Sequence, residues 1–201
     1  MPIALRGDRG STLPIYIWIT GILLFVAFAF FAFAQAASAR NGAQSAADAA
    51  ALAAAQDSRD ELVEGLSQSI GDGDKWLDWL GGDEFTGDGA RDAANALAAD
   101  NDSTVTAFEA AEVDGYPGWR AEIETNYTVG DSIIPGTENR HAKAHATAVI
   151  RPRCDVAEGD DPEKAVKFTC DGDESFEFDP DDFDPEDLPD ASVLFSVHLA
   201  D

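Results

Sequence analysis

Hydrophobic and polar positions divide the chain into three regimes. Residues 13–37 are almost wholly apolar, and no charged side chain occurs between Gly10 and Ala39. About 20 such residues cross a bilayer as a helix, the form that satisfies every backbone N–H and C=O within lipid. From Ala36 to Ala55 alanine dominates, with Ser38, Arg40, Gln44 and Asp48 inserted. Alanine is the best helix former, Gly42 costs only about 1 kcal/mol, and no proline interrupts. The pattern predicts one continuous helix that leaves the membrane and projects outward by several turns. Past Gln56 it turns amphipathic, with Leu62, Val63, Leu66 and Ile70 among acidic residues, until Gly71-Asp72-Gly73-Asp74 breaks it.

The period then changes. Residues 75–80 form a short aromatic patch with Trp76 and Trp79, and 81–89 read as glycine-rich linker. A second short helix is expected over 91–99, with Ala94, Leu97 and Ala98 on one side and Asp100-Asn101-Asp102 as its stop. Trp119, Ala121, Ile123, Thr125, Tyr127 and Val129 alternate with polar residues, the period of a half-buried strand. A strand over 103–113 precedes it, joined through Asp114-Gly115-Tyr116-Pro117-Gly118. Ala142, Ala144, Ala146, Ala148 and Ile150 alternate in a third strand, whose small-residue face suits an alanine-rich helix. Residues 166–169 and 192–199 are further strands, and 171–190 reads as a solvated acidic loop.

Along the first helix Phe25, Ala29, Ala32, Ala36, Ala39, Ala43, Ala46, Ala50 and Ala53 recur in steps of four and three. That spacing places them on one face, and small residues there let a second helix approach closely. Ala36, Ala39, Ala43, Ala46, Ala50 and Ala53 are therefore a candidate helix-packing stripe. The bland alternative is that an alanine-rich helix shows such a stripe in nearly any register.

Charge sets the topology. Lys+Arg total 13 against 39 Asp+Glu, a formal net charge of −26. Arg6, Asp8 and Arg9 give the first ten residues a local +1, which leaves −27 for the remainder. A short basic leader stays in the cytoplasm and the acidic bulk lies outside. So negative a body disfavours nucleic acid or an anionic lipid surface as its partner. The two cysteines, Cys154 and Cys170, both fall in the expected exterior, where oxidising conditions permit a disulfide. They bracket a segment too acidic to hold itself closed by packing. Closing a loop of about 15 residues stabilises by about 3 kcal/mol in the chain-entropy model, with Cα atoms about 4.4–6.8 Å apart.

Arg9-Gly10-Ser11-Thr12, the long apolar helix, and then Arg40-Asn41-Gly42-Ala43-Gln44-Ser45-Ala46-Ala47-Asp48 running into Ala49–Ala55 resemble the N-terminal region of TadE/TadG-like proteins of the bacterial Tad (Flp) pilus and secretion machinery. The resemblance covers roughly the first third of the chain. It implies a fold of class α+β: a transmembrane helix continuing outward, then a pilin-like ectodomain with an antiparallel sheet and a short helix. It also raises leader cleavage between Gly10 and Ser11. Prepilin-type leaders are followed by glutamate at the fifth mature position, and here that position is Ile15. Ala37-Ser38-Ala39 looks like a secretory cleavage site, but the apolar run is longer than such signals carry.

Candidate chemistry is sparse. His141 and His145 share a strand face without a nearby third ligand, so no metal site is expected. The acidic runs around 171–174 and 179–187 lack EF-hand spacing. Gly130-Asp131-Ser132-Ile133 is similar to the nucleophile block of GDSL-type esterases. The position three before His198 is Phe195, however, and a serine without an oriented base is a weak nucleophile. No catalytic residue and no cofactor are expected.

The expected organisation is a cytoplasmic leader (1–12), a transmembrane helix (13–37), an extracytoplasmic extension (38–70), a Gly/Asp-rich linker (71–89) and an α/β ectodomain with acidic loops (90–201). The expected function is a non-enzymatic structural or accessory component of a Tad-type pilus or secretion apparatus. It would sit in the cell membrane and meet other pilin-like or Tad-apparatus membrane proteins through its N-terminal helix. The alternative is a membrane-anchored exterior module that binds a cation, wall component or protein.

Overall fold

A computed structural model describes residues 12–82, 84–130, 139–156 and 165–200. One helix, α1 (Thr12–Ser69), runs unbroken for 58 residues. It is followed by α2 (Trp76–Gly81) and α3 (Ala90–Asp100), then strands β1 (Ser103–Val113), β2 (Tyr116–Thr128) and β3 (His141–Pro152). Two residues of β4 (Cys154–Asp155) lead to β5 (Val166–Cys170) and β6 (Glu174–Phe178). A single turn, α4 (Ala191–Leu194), precedes β7 (Phe195–Ala200). The fold is α+β, as expected.

The strands form two antiparallel sheets, ordered β1-β2-β3-β7 and β4-β5-β6. Val113 pairs with Tyr116 across Asp114-Gly115. Both turn residues have positive φ, 54° and 83°, the conformation of a tight hairpin whose twist matches its strands. In the register between β2 and β3, Trp119 faces Ala148, Ala121 faces Ala146 and Ile123 faces Ala144. This small-residue face packs on the outward half of α1, as the alternation in β3 anticipates. On α3, Ala90, Ala94 and Ala98 are fully buried, a spacing of four that lays one helix face against α1.

Three contacts align β2 with α1. A Cβ on Gly42 would collide with the Tyr127 hydroxyl as it lies here, so the glycine lets the ring end rest against the helix. Sixteen residues further along α1, Ser58 Oγ accepts a hydrogen bond from Trp119 Nε1 at 2.8 Å. Those sixteen residues advance about 24 Å along a helix, and the eight from Tyr127 back to Trp119 span about 26 Å of strand. Near the hairpin end, a Cβ on Gly130 would lie 3.7 Å from the Gln35 side chain. The strand thus descends beside the helix, and the β2–β3 end of the sheet sits level with residues 35–42.

Two expectations are corrected. Residues 71–89 are no free linker: α2 lies within them, and Trp76 is fully buried against Phe168, their ring centroids 6.4 Å apart. Gly65 of α1 leaves room for the Trp79 ring, where a Cβ would clash. Nor is 171–190 loop throughout. Glu174–Phe178 is a strand whose Phe176 and Phe178 turn inward to Phe168, at centroid distances of 5.5 and 6.0 Å. Ser175 and Glu177, which alternate with them, are exposed, so a strand of period two is hidden inside an acidic composition.

Candidate membrane anchor and assembly helix

α1 has two unlike halves. From Leu13 to Phe33 its large apolar side chains stand exposed, Trp18 at 73% and Phe33 at 74%. Those 20 steps rise about 30 Å, the thickness of a bilayer's hydrocarbon core. An apolar sleeve of this size is untenable in water and is a membrane or protein contact. Tyr16 and Trp18 lie near its first end, where amphipathic rings favour the interface.

At Ala39 the helix enters the protein's own core. Ala39, Ala43, Ala46 and Ala50 of the expected stripe are buried, Ala53 is partly buried and Ala36 is exposed. The stripe was expected to meet a second helix of another protein. From Ala39 onward α1 packs instead against this chain's own elements, chiefly β3 and α3. Ala47, Ala51, Ala54 and Ala55, off the stripe, are fully buried too, because the helix is clasped by the sheet and α3 together. Packing of small residues is what the pattern encodes; it does not encode whose surface supplies the partner.

A carboxylate fixes the next segment. Glu61 Oε1 accepts from the Thr86 backbone N–H and hydroxyl, both at 2.8 Å, and Oε2 accepts from the Gly87 N–H at 2.9 Å. Burial works to raise its pKa, but the three donors prevail and hold it below the ordinary carboxylate value. Asp57, one turn earlier, shifts the other way: burial first, then Asp60, Glu61 and Asp92, push it up. Nothing in the alanine-rich pattern singles out Glu61. Its only signal is an acidic residue on a helix ahead of a Thr-Gly turn.

Cys154 and Cys170 form a disulfide and face each other directly in the β4–β5 ladder. Their Cα atoms are 3.8 Å apart, closer than the expected range. The neighbouring pair is hydrogen-bonded, Asp171 N–H to the Arg153 carbonyl at 2.9 Å. Antiparallel pairs alternate, so the cysteines occupy the close, non-hydrogen-bonded position.

The other singled-out residues stay apart. His141 Nδ1 lies 2.6 Å from the Thr125 carbonyl and donates to it. His145 points to solvent, its carbonyl accepting from Gln44 Nε2 at 3.3 Å. His198 is exposed on β7, across from Val149. Among the described residues no group of three or more His, Cys, Asp or Glu is placed to hold a metal. Gly10 and Ser11, and Asp131, Ser132 and Ile133 of the esterase-like block, lie outside the described residues.

The chain is thus an α+β protein on one N-terminal helix that fits a single-pass membrane anchor. Residues 10–57 match the family model described as putative Flp pilus-assembly TadE/G-like, the portion that carries the resemblance in the sequence. No curated protein and no solved structure matches the chain.

Proposed function

We propose that this chain is a non-enzymatic structural or accessory component of a Tad-type (Flp) pilus or secretion apparatus, with its N-terminus cytoplasmic and a pilin-like ectodomain outside. One observation carries the reading: a single helix is bare and apolar over a bilayer's thickness, then without interruption becomes the core of the folded domain. Such a helix fixes the domain rigidly to the membrane and offers its bare half to neighbouring membrane helices. The TadE/G-like match over residues 10–57 spans both halves and supports this choice of apparatus. Phe25 and Ala36, at the open end of the stripe, are exposed and free to meet a partner. Co-purification of the intact protein from its native membrane tests this. Recovery of pilin-like or Tad-apparatus membrane proteins, lost when Phe25 and Ala36 are altered, is expected. Recovery of a ligand held by the ectodomain, indifferent to those changes, would favour a membrane-anchored binding module instead.

A further inference from the structure

In a chain with 39 acidic and 13 basic residues, one end of the ectodomain departs from the rest. The end that meets the apolar sleeve comprises residues 34–44 of α1, the end of β2 (125–130) and the start of β3 (139–143). Among these described residues there are three cations, Arg40, Arg140 and Lys143, and the carboxylate level with them is Glu124, the register partner of Lys143. Asp131 and Glu138 of the intervening segment lie outside the described residues.

Their level relative to a bilayer follows from the contacts already given. Phe33 is the last large exposed apolar residue of α1, and Arg40 lies about 10 Å beyond it along the helix axis. Headgroups add about 5–8 Å to each side of the hydrocarbon core, within reach of an extended arginine side chain. Gln44, one turn after Arg40 on the same helix face, reaches the His145 carbonyl, which puts Arg40 near the level of Lys143. The Val129 N–H donates to the Arg140 carbonyl at 2.9 Å, and the adjoining Gly130 lies beside Gln35. Arg140 is therefore nearer the membrane than Lys143. Lys143 is engaged by Glu124 of β2 at 2.6 Å. Among the described residues neither Arg40 nor Arg140 has a carboxylate partner, and both are exposed.

We propose that Arg40 and Arg140, with Lys143 behind them, form a headgroup-facing surface that seats the ectodomain on the phosphates of the bilayer in which α1 is anchored. Each guanidinium presents several donors to phosphate oxygens. The acidic remainder is repelled by the same membrane, so the two signs act together to hold the body upright. This surface rests on the membrane-anchor reading of α1.

The test uses the full chain in vesicles of phosphatidylcholine with or without phosphatidylglycerol. With Cys154 and Cys170 joined, a cysteine introduced at Thr128 takes a fluorescent label uniquely, and one at Glu174 serves as a distant control. Quenching by a headgroup-attached nitroxide lipid reports contact, and resistance to carbonate extraction reports anchoring. The Thr128 probe should be quenched well above the control, more so with phosphatidylglycerol and less in high salt. Arg40→Gln with Arg140→Gln should weaken headgroup contact by about fivefold per charge removed with carbonate resistance unchanged. Arg40→Lys with Arg140→Lys should restore it. Anchored protein whose quenching ignores the glutamines overturns the headgroup surface alone; protein extracted by carbonate overturns it together with the anchor.

Discussion

Trp119 of β2 and Ser58 of α1, 61 residues apart, are joined by a hydrogen bond of 2.8 Å from the indole Nε1 to the hydroxyl oxygen. Ser58 is fully buried, and it sits in the middle of the surface where helix meets sheet. Trp119 continues outward to stack on Phe108, ring centroids 5.0 Å apart. Ser58→Ala strands the indole N–H in the interior, at a cost of about 1–3 kcal/mol. Denaturant unfolding of the detergent-solubilised protein, followed by near-UV circular dichroism, measures it. An unchanged midpoint would mean that the bond contributes nothing net.

Ala43 is buried at 0% beneath the sheet, whereas Ala36, two turns earlier on the same stripe, is exposed. Ala43→Leu should therefore destabilise the folded domain by about 1–3 kcal/mol through overpacking. Ala36→Leu should leave the melting temperature unaltered. Equal melting of both variants would contradict the closure of the sheet on this face.

The depressed pKa of Glu61 has a definite pH consequence. A carboxyl whose folded pKa lies below its unfolded value, here 4.5, contributes stability that is present above that value. The contribution is lost as pH falls through the folded pKa. Glu61→Gln should therefore be less stable than the parent at neutral pH, and the gap should close below about pH 4.5. Asp57, raised by burial and its acidic neighbours, has the opposite sign, so Asp57→Asn should gain on the parent as pH rises. Unfolding free energies of the three proteins between pH 3 and 7 decide the matter; gaps that do not vary with pH would refute both assignments.

Reduction of Cys154–Cys170, which closes a loop of sequence separation 16, should cost about 3 kcal/mol. The loss should concentrate in β4, β5 and β6, read as faster amide exchange at Phe168 and Phe176 than at Ile123. Mass spectrometry of the unreduced, unfolded protein should find no alkylatable thiol. Two modified cysteines would be decisive against the bond.

Orientation is tested on intact wall-free cells. Added protease should remove the ectodomain and leave a membrane-bound stub. A protected ectodomain would reverse the proposed topology. Release without protease would instead indicate cleavage after Ala39.

Much of this architecture was legible in the chain because local periodicity and burial agree. Ala142 to Ile150 alternate in sequence and turn their small face to α1 in the structure. The helix stop at Gly71 and Gly73 coincides with positive φ at both. Legibility failed where a residue's role depends on a distant partner. Phe176 and Phe178 belong to a strand only because Phe168 and Trp76 stand behind them, and flanking acids and prolines mask their alternation. Trp76, in a stretch punctuated by glycine and aspartate, gives no local sign of full burial. Glu61 is one acid among many until Thr86 and Gly87 fold back to it. Ala39, Ala43, Ala46 and Ala50 are buried within this chain, and a pattern of small residues fits a sheet in the same chain as readily as a neighbour's helix.

The unbroken course of α1 makes the molecule a lever. From Phe33 to Ser69 the helix extends about 54 Å, and the two glycines that would weaken it, Gly42 and Gly65, are packed against Tyr127 and Trp79. No swivel separates the bare apolar half from the half that carries the sheet. A tilt of about 10° at the membrane therefore sweeps the far end of the helix through about 9 Å, and rotation of the buried segment turns the whole exterior body with it.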